Sequence, residues 1–146
     1  MTSIRRAAPE DLTAILRIET KCFIRDAWNR DQFLDYLAQP ERSIFLVAMV
    51  DGIARAYAVA YHTASRAEID SIAVSTTHRG KGIAAALLRR AMNSLRKRGL
   101  SSVFLNVRLD NDAAIRLYRR LGFERIRQIS GYYEDGAPAL RMRRTL

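Results

Sequence analysis

The chain has little of what anchors or cross-links many other proteins. Its 146 residues include one cysteine, Cys22, so an internal disulfide is excluded. No hydrophobic run approaches the ~20 residues that span a bilayer, and the first residues lack the apolar segment of a signal peptide. With one cysteine and two histidines there is no spacing for a zinc site, and we expect no metal. These absences predict a cytoplasmic protein without a membrane contact.

Acidic residues are missing from a long central stretch. Residues 71–109 carry eight basic residues and no acid, whereas residues 1–70 carry nine basic and ten acidic residues. The net charge of +10 is therefore concentrated in the centre and the C-terminal part of the chain. Such a distribution favours a polyanionic ligand, either a nucleotide cofactor or nucleic acid.

Glycine is also scarce, but two of the seven glycines stand close together at Gly80 and Gly82. The run Ile69–Val74 before them is typical of a strand, and the segment after them is strongly periodic. A strand that leads through glycines into a helix lets the backbone approach an anion, with the N–H groups of the first helical turn directed at it. Since Arg79 and Lys81 add positive charge, we predict a pyrophosphate-binding loop here.

Hydrophobic periodicity predicts one α/β domain over residues 1–146. Residues 43–75 indicate an antiparallel meander with a hairpin turn at Asp51-Gly52. The apolar positions of residues 82–98 recur with helical spacing, and Asn111 is expected to cap a further helix. The predicted order is β-α-α-β-β-β-α-β-α-β-β, a mixed, mostly antiparallel sheet of about seven strands with about four helices on its faces.

Three known phosphate-binding patterns can be tested on the glycine loop. The mononucleotide pattern G-x-x-x-x-G-K-S/T is absent. Gly80, Gly82 and Ala85 formally meet the dinucleotide pattern G-x-G-x-x-G/A, but the expected acid about twenty residues later is missing. The third pattern, Q/R-x-x-G-x-G/A, is met by Arg79, Gly82 and Ala84.

This third pattern and a downstream segment together resemble the GNAT N-acetyltransferase superfamily. The segment runs from Asn111 to Phe123 and is similar to the signature N-x-x-A-x-x-L-Y-x-x-x-G-F. The resemblance covers essentially the whole chain, and it is closer to the protein N-terminal acetyltransferases of the bacterial ribosomal-protein-alanine type. That closer resemblance rests on Ile18, Glu19, Phe23, Trp28, Leu105 to Arg108, Tyr132 to Gly136, Ala139 and Met142.

The resemblance implies acetyl-CoA as cofactor and transfer of its acetyl group to a primary amine by direct attack in a ternary complex. A protein N-terminal α-amine is the first expected acceptor. Tyr118 would be the general acid for the leaving thiolate; on spacing alone it could equally be a core tyrosine with a satisfied hydroxyl. The implied cofactor-binding residues are Ile72, Ala73, Val74, Arg79, Gly80, Lys81, Gly82, Ile83, Ala84, Ala85 and Asn111.

The general base is where this chain departs from its nearest relatives. Their glutamate corresponds to Asn106, which cannot accept a proton at neutral pH but could orient a water molecule. The resemblance to histone-type members suggests Glu68 as the base, with Asp70 on the same strand face as second choice. The alternative for both is a solvent-exposed strand edge.

The remaining candidates concern the acceptor. Trp28, Tyr132 and Tyr133 are expected to line the acceptor groove together with Asp70 and Asn106. Glu19 lies near the apolar stripe of the helix that Pro9 opens, where a charge is costly unless paired. The residues predicted to form that stripe are Leu12, Ile15, Leu16, Cys22 and Phe23. Glu19 could hold a substrate amine or form a salt bridge with Arg17 or near Lys21.

Two other functions stay open. The same fold could acetylate a small amine or an antibiotic, because function depends on the acceptor site. A basic module that binds RNA or the ribosome is also possible, motivated by Arg89-Arg90 and Arg96-Lys97-Arg98. An enzyme of this charge repels a basic peptide unless the acids of residues 1–70 line the acceptor groove.

Overall fold

A computed structural model describes residues 1–23 and 26–146, and the elements named here are those of these residues. The helices are α1 (Leu12–Cys22), α2 (Arg30–Leu37), α3 (Ile83–Lys97) and α4 (Asp112–Arg120). The strands are β1 (Thr2–Arg6), β2 (Ser43–Val50), β3 (Ile53–His62), β4 (Ala67–Val74), β5 (Ser102–Arg108), β6 (Glu124–Ile129) and β7 (Ala139–Thr145). No helix within these ranges is long and apolar enough to cross a membrane.

The strands form one sheet in the order β1-β2-β3-β4-β5-β7-β6. Every neighbouring pair is antiparallel except β4 and β5, which run parallel. The predicted α/β class, the element order and the meander of β2, β3 and β4 are therefore confirmed. Asn111 caps α4 as expected, because its side chain accepts a hydrogen bond from the Ala114 N–H.

Helices cover both faces of the sheet. On one face the apolar side of α3, with Leu87, Leu88 and Leu95, packs in a cluster that includes Leu105 and Met142. On the other face α1 and α2 enclose a second cluster, whose buried members are Leu12, Ile15, Ile18, Phe33, Phe45, Val47, Tyr57, Val59 and Ala73.

The buried face of α1 differs from the predicted stripe. Leu12 and Ile15 are buried as expected, but Ile18 and Glu19 complete the interior face. Leu16, Cys22 and Phe23 are only partly buried around the second cluster. The periodicity missed this because a carboxylate occupies an interior position.

The centre of the sheet opens between β4 and β5. The two strands pair only at Glu68–Phe104 and Ile69–Leu105. β5 nevertheless keeps its pairing with β7 as far as Arg108. On β3 the register shifts so that Val59 pairs with Ser71 and Ala60 with Ile69, which leaves Asp70 as the extra residue of a bulge. Beyond this bulge β4 has no ladder with β5, and we call the resulting opening the central gap.

Candidate active site

The glycine loop, residues 79–82, lies between the end of β4 and the start of α3. Gly80 and Gly82 have φ angles of 76° and 80°, a left-handed conformation that side chains rarely adopt. A Cβ atom at either position would meet nothing within 4 Å, so the loop faces open space. Gly82 is the N-cap of α3, and no side chain caps the helix or places an acid in its first turn. The first N–H groups of α3 are thus available to an anion.

Arg79 connects the glycine loop to the end of β4 and to α1. Arg79 donates from Nε to the carbonyl of Val74 at 3.3 Å and from Nη2 to the sulfur of Cys22 at 3.1 Å. Cys22 also contacts the carbonyl of Val74 at 3.6 Å. The guanidinium therefore lies at the junction of β4, α1 and the loop, while Lys81 is exposed.

The strand residues predicted to contact the cofactor border the central gap. Ala73 belongs to the cluster beneath α1 and α2, and Ile72 and Val74 pack against the cluster beneath α3. Their side chains thus point to opposite faces, and their backbone forms one side of the gap. The gap leads along β4 to the glycine loop, so an elongated ligand with an anionic end fits this path.

Tyr118 combines a buried ring with a hydroxyl that has no partner within the described ranges. The residue is 7% exposed, and its ring packs edge to face against Phe123 at 5.8 Å. Burial, followed by the nearby Tyr133, raises the pKa of Tyr118 to about 12, so the hydroxyl keeps its proton at neutral pH. The expectation of a core tyrosine is correct for the ring, but no hydrogen bond satisfies the hydroxyl.

A polar network joins Glu68, through Arg141 and Asn106, to Tyr132 in the loop between β6 and β7. Arg141 is 7% exposed and donates to Glu68 at 2.5 Å and to the Asn106 side-chain oxygen at 3.1 Å. The Asn106 amide in turn donates to the Tyr132 hydroxyl at 3.1 Å. The sequence analysis missed Arg141; its one signal is an arginine between Leu140 and Met142 in an otherwise buried run.

Glu68 and Asp70 occupy different environments although they share a strand face. The expected alternative of an exposed strand edge is wrong for Glu68, which pairs with Phe104 inside the sheet, whereas Asp70 is exposed where β4 parts from β5. Glu68 forms ion pairs with Arg141 and, at 3.9 Å, with Arg66. Asp70 accepts a hydrogen bond from the Tyr36 hydroxyl at 2.7 Å. Desolvation by the surrounding protein, with repulsion from Glu68, outweighs that hydrogen bond and raises the pKa of Asp70 to about 6.

Asp70 also lines a cavity of about 380 Å³ between α2, β3 and β4. Its walls hold three aromatic rings, two carboxylates and two carboxamides, from Trp28, Gln32, Asp35, Tyr36, Gln39, Tyr61 and Asp70. We call it the acceptor-side pocket. The structure thus brings Trp28 and Asp70 together, while Asn106, Tyr132 and Tyr133 lie on the β5 and β7 side of the gap. Tyr36 is a functional candidate that the sequence analysis missed.

A larger groove of about 490 Å³ runs between α1 and the start of β3. Arg17, Lys21 and Arg55 are among its lining residues, but none of the predicted site residues lines it. The residues predicted from the sequence therefore do not line this groove, and the chemistry proposed for them belongs to the central gap.

Glu19 was expected to hold a substrate amine or to form a salt bridge, and its contacts in the structure are of neither kind. It is 1% exposed, and its carboxylate accepts hydrogen bonds from the Trp28 N–H at 2.8 Å and from the Tyr57 hydroxyl. Burial raises the pKa of Glu19 against the opposing effect of both hydrogen bonds. Its partners within the described ranges are thus not the exposed cations Arg17 and Lys21, and its effect on the acceptor side is to position Trp28.

Arg108 joins the two loops beside the gap. It forms 3.0 Å ion pairs with Asp26, which follows α1, and with Asp135, which precedes β7. Its guanidinium also stacks on the Tyr133 ring at 4.4 Å, and the rings of Tyr132 and Tyr133 meet edge to face at 4.9 Å. Arg108 of β5 thus connects the segment after α1 with the loop before β7.

The arrangement of a split sheet, a glycine loop and a tyrosine on α4 defines an acyl-transfer fold, and the family comparison agrees. The model of the acetyltransferase (GNAT) family matches residues 12–123, and the chain belongs to this family. Both sequence signatures lie within the matched residues.

Individual relatives add detail. An N-alpha-acetyltransferase of Saccharolobus solfataricus is 39% identical over 82 residues, which are 56% of this chain and 49% of that protein. The match thus spans about half the length of this curated relative. The crystal structure of Ard1 from Thermoplasma volcanium superposes with a TM-score of 0.91 at 30% identity, covering 99% of this chain and 97% of that one. The ribosomal-protein-S18-alanine N-acetyltransferase of Escherichia coli has a TM-score of 0.88 at 30% identity, with 99% and 94% coverage.

Proposed function

We propose that this protein is an acetyl-CoA-dependent N-acetyltransferase that modifies the N-terminal α-amine of a protein. The observation that carries the proposal is the central gap between β4 and β5, with the open glycine loop at the end of β4. The names of the N-alpha-acetyltransferase and ribosomal-protein-alanine relatives support the choice of acceptor.

The residues around the gap fit coenzyme A. When bound, acetyl-CoA supplies an activated acetyl group as a thioester. The backbone of Ile72, Ala73 and Val74 would pair with its pantetheine arm, and the Asn111 side chain would contribute a further polar contact. The N–H groups and cations of the loop would bind the pyrophosphate, with Arg79 at its edge beside Gly80, Lys81, Gly82, Ile83, Ala84 and Ala85.

Tyr118 is the proposed general acid. Its pKa of about 12 means that the proton is present at neutral pH, and its hydroxyl has no competing partner among the described residues. A thiolate leaving beside Tyr118 Oη would receive this proton.

Glu68 is the proposed general base, acting through a water molecule that Asn106 orients. Arg141 contacts both side chains, so it would keep them in one arrangement. Asp70 is the alternative base, because a carboxyl with a pKa of about 6 is largely ionised at neutral pH.

The first test compares acceptors at saturating acetyl-CoA. The panel contains peptides with a free α-amine, the same peptides with the α-amine blocked and an internal lysine, polyamines and aminoglycosides. Mass spectrometry should find acetylation on the free α-amine alone. Exclusive acetylation of a polyamine or an aminoglycoside would replace this proposal with the small-molecule function. RNA binding with no acetylation of any acceptor would favour the basic binding module.

A further inference from the structure

The lining of the acceptor-side pocket is acidic and aromatic, whereas the protein as a whole is basic. The chain carries 25 lysines and arginines and a net charge of +10, yet none of those in the described ranges 1–23 and 26–146 lines this cavity. Its walls contain two carboxylates, Asp35 and Asp70, and the rings of Trp28, Tyr36 and Tyr61. A carboxylate-bearing aromatic pocket is suited to a cation, since ring faces and anions both attract positive charge.

No cationic side chain of the described residues neutralises the two carboxylates of the pocket. Neither Asp35 nor Asp70 forms an ion pair with any residue that the structure describes. The recorded partner of the Asp70 carboxylate is the hydroxyl of Tyr36, which is a neutral donor. Desolvation and the neighbouring Glu68 both disfavour the ionised form of Asp70. A cation bound beside this carboxylate would therefore stabilise its charge.

The rings are held in place before any ligand arrives. Trp28 and Tyr36 are stacked with centroids 5.3 Å apart and an interplanar angle of 7°. The Tyr61 ring meets Tyr36 edge to face at 6.2 Å, and the Tyr61 hydroxyl donates to Gln39 at 3.3 Å. The backbone of Trp28 is bound by buried Glu19. Little side-chain freedom would therefore be lost on binding.

The pocket also lies beside the proposed point of reaction. Asp70 immediately follows Ile69, the last residue of β4 that pairs with β5. A chain whose first residue enters the central gap would therefore have its next side chains within reach of the pocket.

We propose that the acceptor-side pocket binds a lysine or arginine side chain located immediately after the N-terminal residue of the acceptor. This inference rests on the proposed function, and it names the acceptor class that function leaves open. It accounts for how a protein of net charge +10 accepts a basic chain, because two acids of the N-terminal half, Asp35 and Asp70, line this pocket. A free polyamine offers similar chemistry, and the test separates the two sources.

The experiment measures kcat/KM for peptides that differ at one position. Residue 2 or residue 3 is lysine, arginine, norleucine, glutamine or glutamate in an otherwise identical neutral peptide, and spermidine serves as the free polyamine. We expect lysine or arginine at residue 2 to exceed norleucine by about tenfold, with glutamate lowest. The same changes at residue 3 should have a smaller effect, and a preference confined to residue 3 would contradict the assigned position. Norleucine keeps the aliphatic stem of lysine, so the ratio isolates the charge.

Variants connect this selectivity to the pocket. Asp70→Asn and Asp35→Asn should each lower the lysine-to-norleucine ratio several-fold. Asp31→Asn removes the same charge from α2 but lies outside the pocket, and its ratio should equal that of the unaltered protein. Thermal unfolding verifies that the variants are folded, and Asp35, an exposed residue, is the second variant if Asp70→Asn destabilises the protein.

The outcomes separate the two proposals. If peptides are acetylated equally well with lysine and norleucine, the pocket inference is wrong and the proposed function stands. Acetylation of no peptide would defeat the proposed function itself. A preference for spermidine over every lysine peptide would overturn the assignment of the cation to a protein side chain.

Discussion

The glycine loop and the acceptor-side pocket lie near opposite ends of one gap and are built by different means. The loop uses consecutive residues, backbone N–H groups and positive charge, and its whole surrounding stretch 71–109 contains no acid. The pocket uses side chains gathered from α2, β3, β4 and the segment before α2, and its described lining residues include two acids and no cation. The proposed anion site and the proposed cation site are therefore separate within one small domain because their residues come from different parts of the chain.

This difference in construction predicts different sensitivity to substitution. A backbone site is damaged by changes that alter φ and ψ, whereas a side-chain site is damaged by loss of a functional group. Tyr118 and Glu68 are proposed to act between the two sites, where the acetyl group would pass from one ligand to the other. Changes there should affect turnover more than the binding of either ligand.

The largest effect is expected at the point where the two sites meet. Tyr118→Phe should lower kcat by about 1000-fold with little change in KM for acetyl-CoA, because it removes the proton and keeps the ring. Steady-state kinetics at saturating acceptor measure both constants, and the buried ring should keep the unfolding temperature close to normal. An unaltered kcat would remove the acid role.

The next effect concerns the proposed base. Glu68→Gln should lower kcat by about 100-fold and alter the pH–rate profile, because an amide cannot accept the proton. Glu124→Gln, an exposed change on β6, is the matched control. Full activity of Glu68→Gln with an unshifted profile would exclude Glu68 and transfer the role to Asp70.

A substitution that strains the backbone of the glycine loop should weaken CoA binding and leave the acceptor-side pocket unaffected. Gly82→Ala places a side chain at φ 80° and should weaken CoA binding about tenfold, since the left-handed conformation costs roughly 1–2 kcal/mol. Gly52→Ala imposes the same strain at φ 81° in the β2–β3 hairpin, also with open space around it, and should leave CoA affinity intact. Calorimetric titration with CoA compares the two variants. Equal affinities would show that the loop geometry does not matter for binding.

The smallest effect tests the cost of charge in the acceptor-side pocket. A carboxyl whose pKa is about 6 when folded and ~3.9 when unfolded binds more protons in the folded state between these values. Stability therefore falls as the pH rises from about 4 to 6. Asp70→Asn should consequently unfold about 2–4 °C higher than the unaltered protein at pH 7.5, with no difference at pH 4. Tyr36, Tyr61, Asp35 and Glu68 are the titratable groups around this carboxyl, and they remain in both proteins. A lower unfolding temperature at pH 7.5 would mean that the Asp70 carboxylate stabilises the fold.

Much of the acceptor side could not be predicted from the sequence. Glu68 and Arg141 are 73 positions apart in the chain. The only local feature that distinguishes Arg141 from Arg143 and Arg144 of its strand is its place between Leu140 and Met142. Tyr36 and Asp70 meet across 34 positions. Glu19 was recognised as a costly charge, but its true partners, Trp28 and Tyr57, depend on how α1 packs against the sheet.

By itself, the sequence determined the elements, their order and the glycine loop, because each depends on neighbours within a few residues. Helical periodicity, the Asp51-Gly52 turn and two glycines before α3 are local properties, and the structure agrees with them to within one or two residues. Only the tertiary structure decided where β4 and β5 part, which carboxylate is paired with an arginine, and which is left facing aromatic rings. Those outcomes depend on strand register and on contacts between distant segments, and a one-residue bulge at Asp70 changes them without leaving a mark in the local pattern.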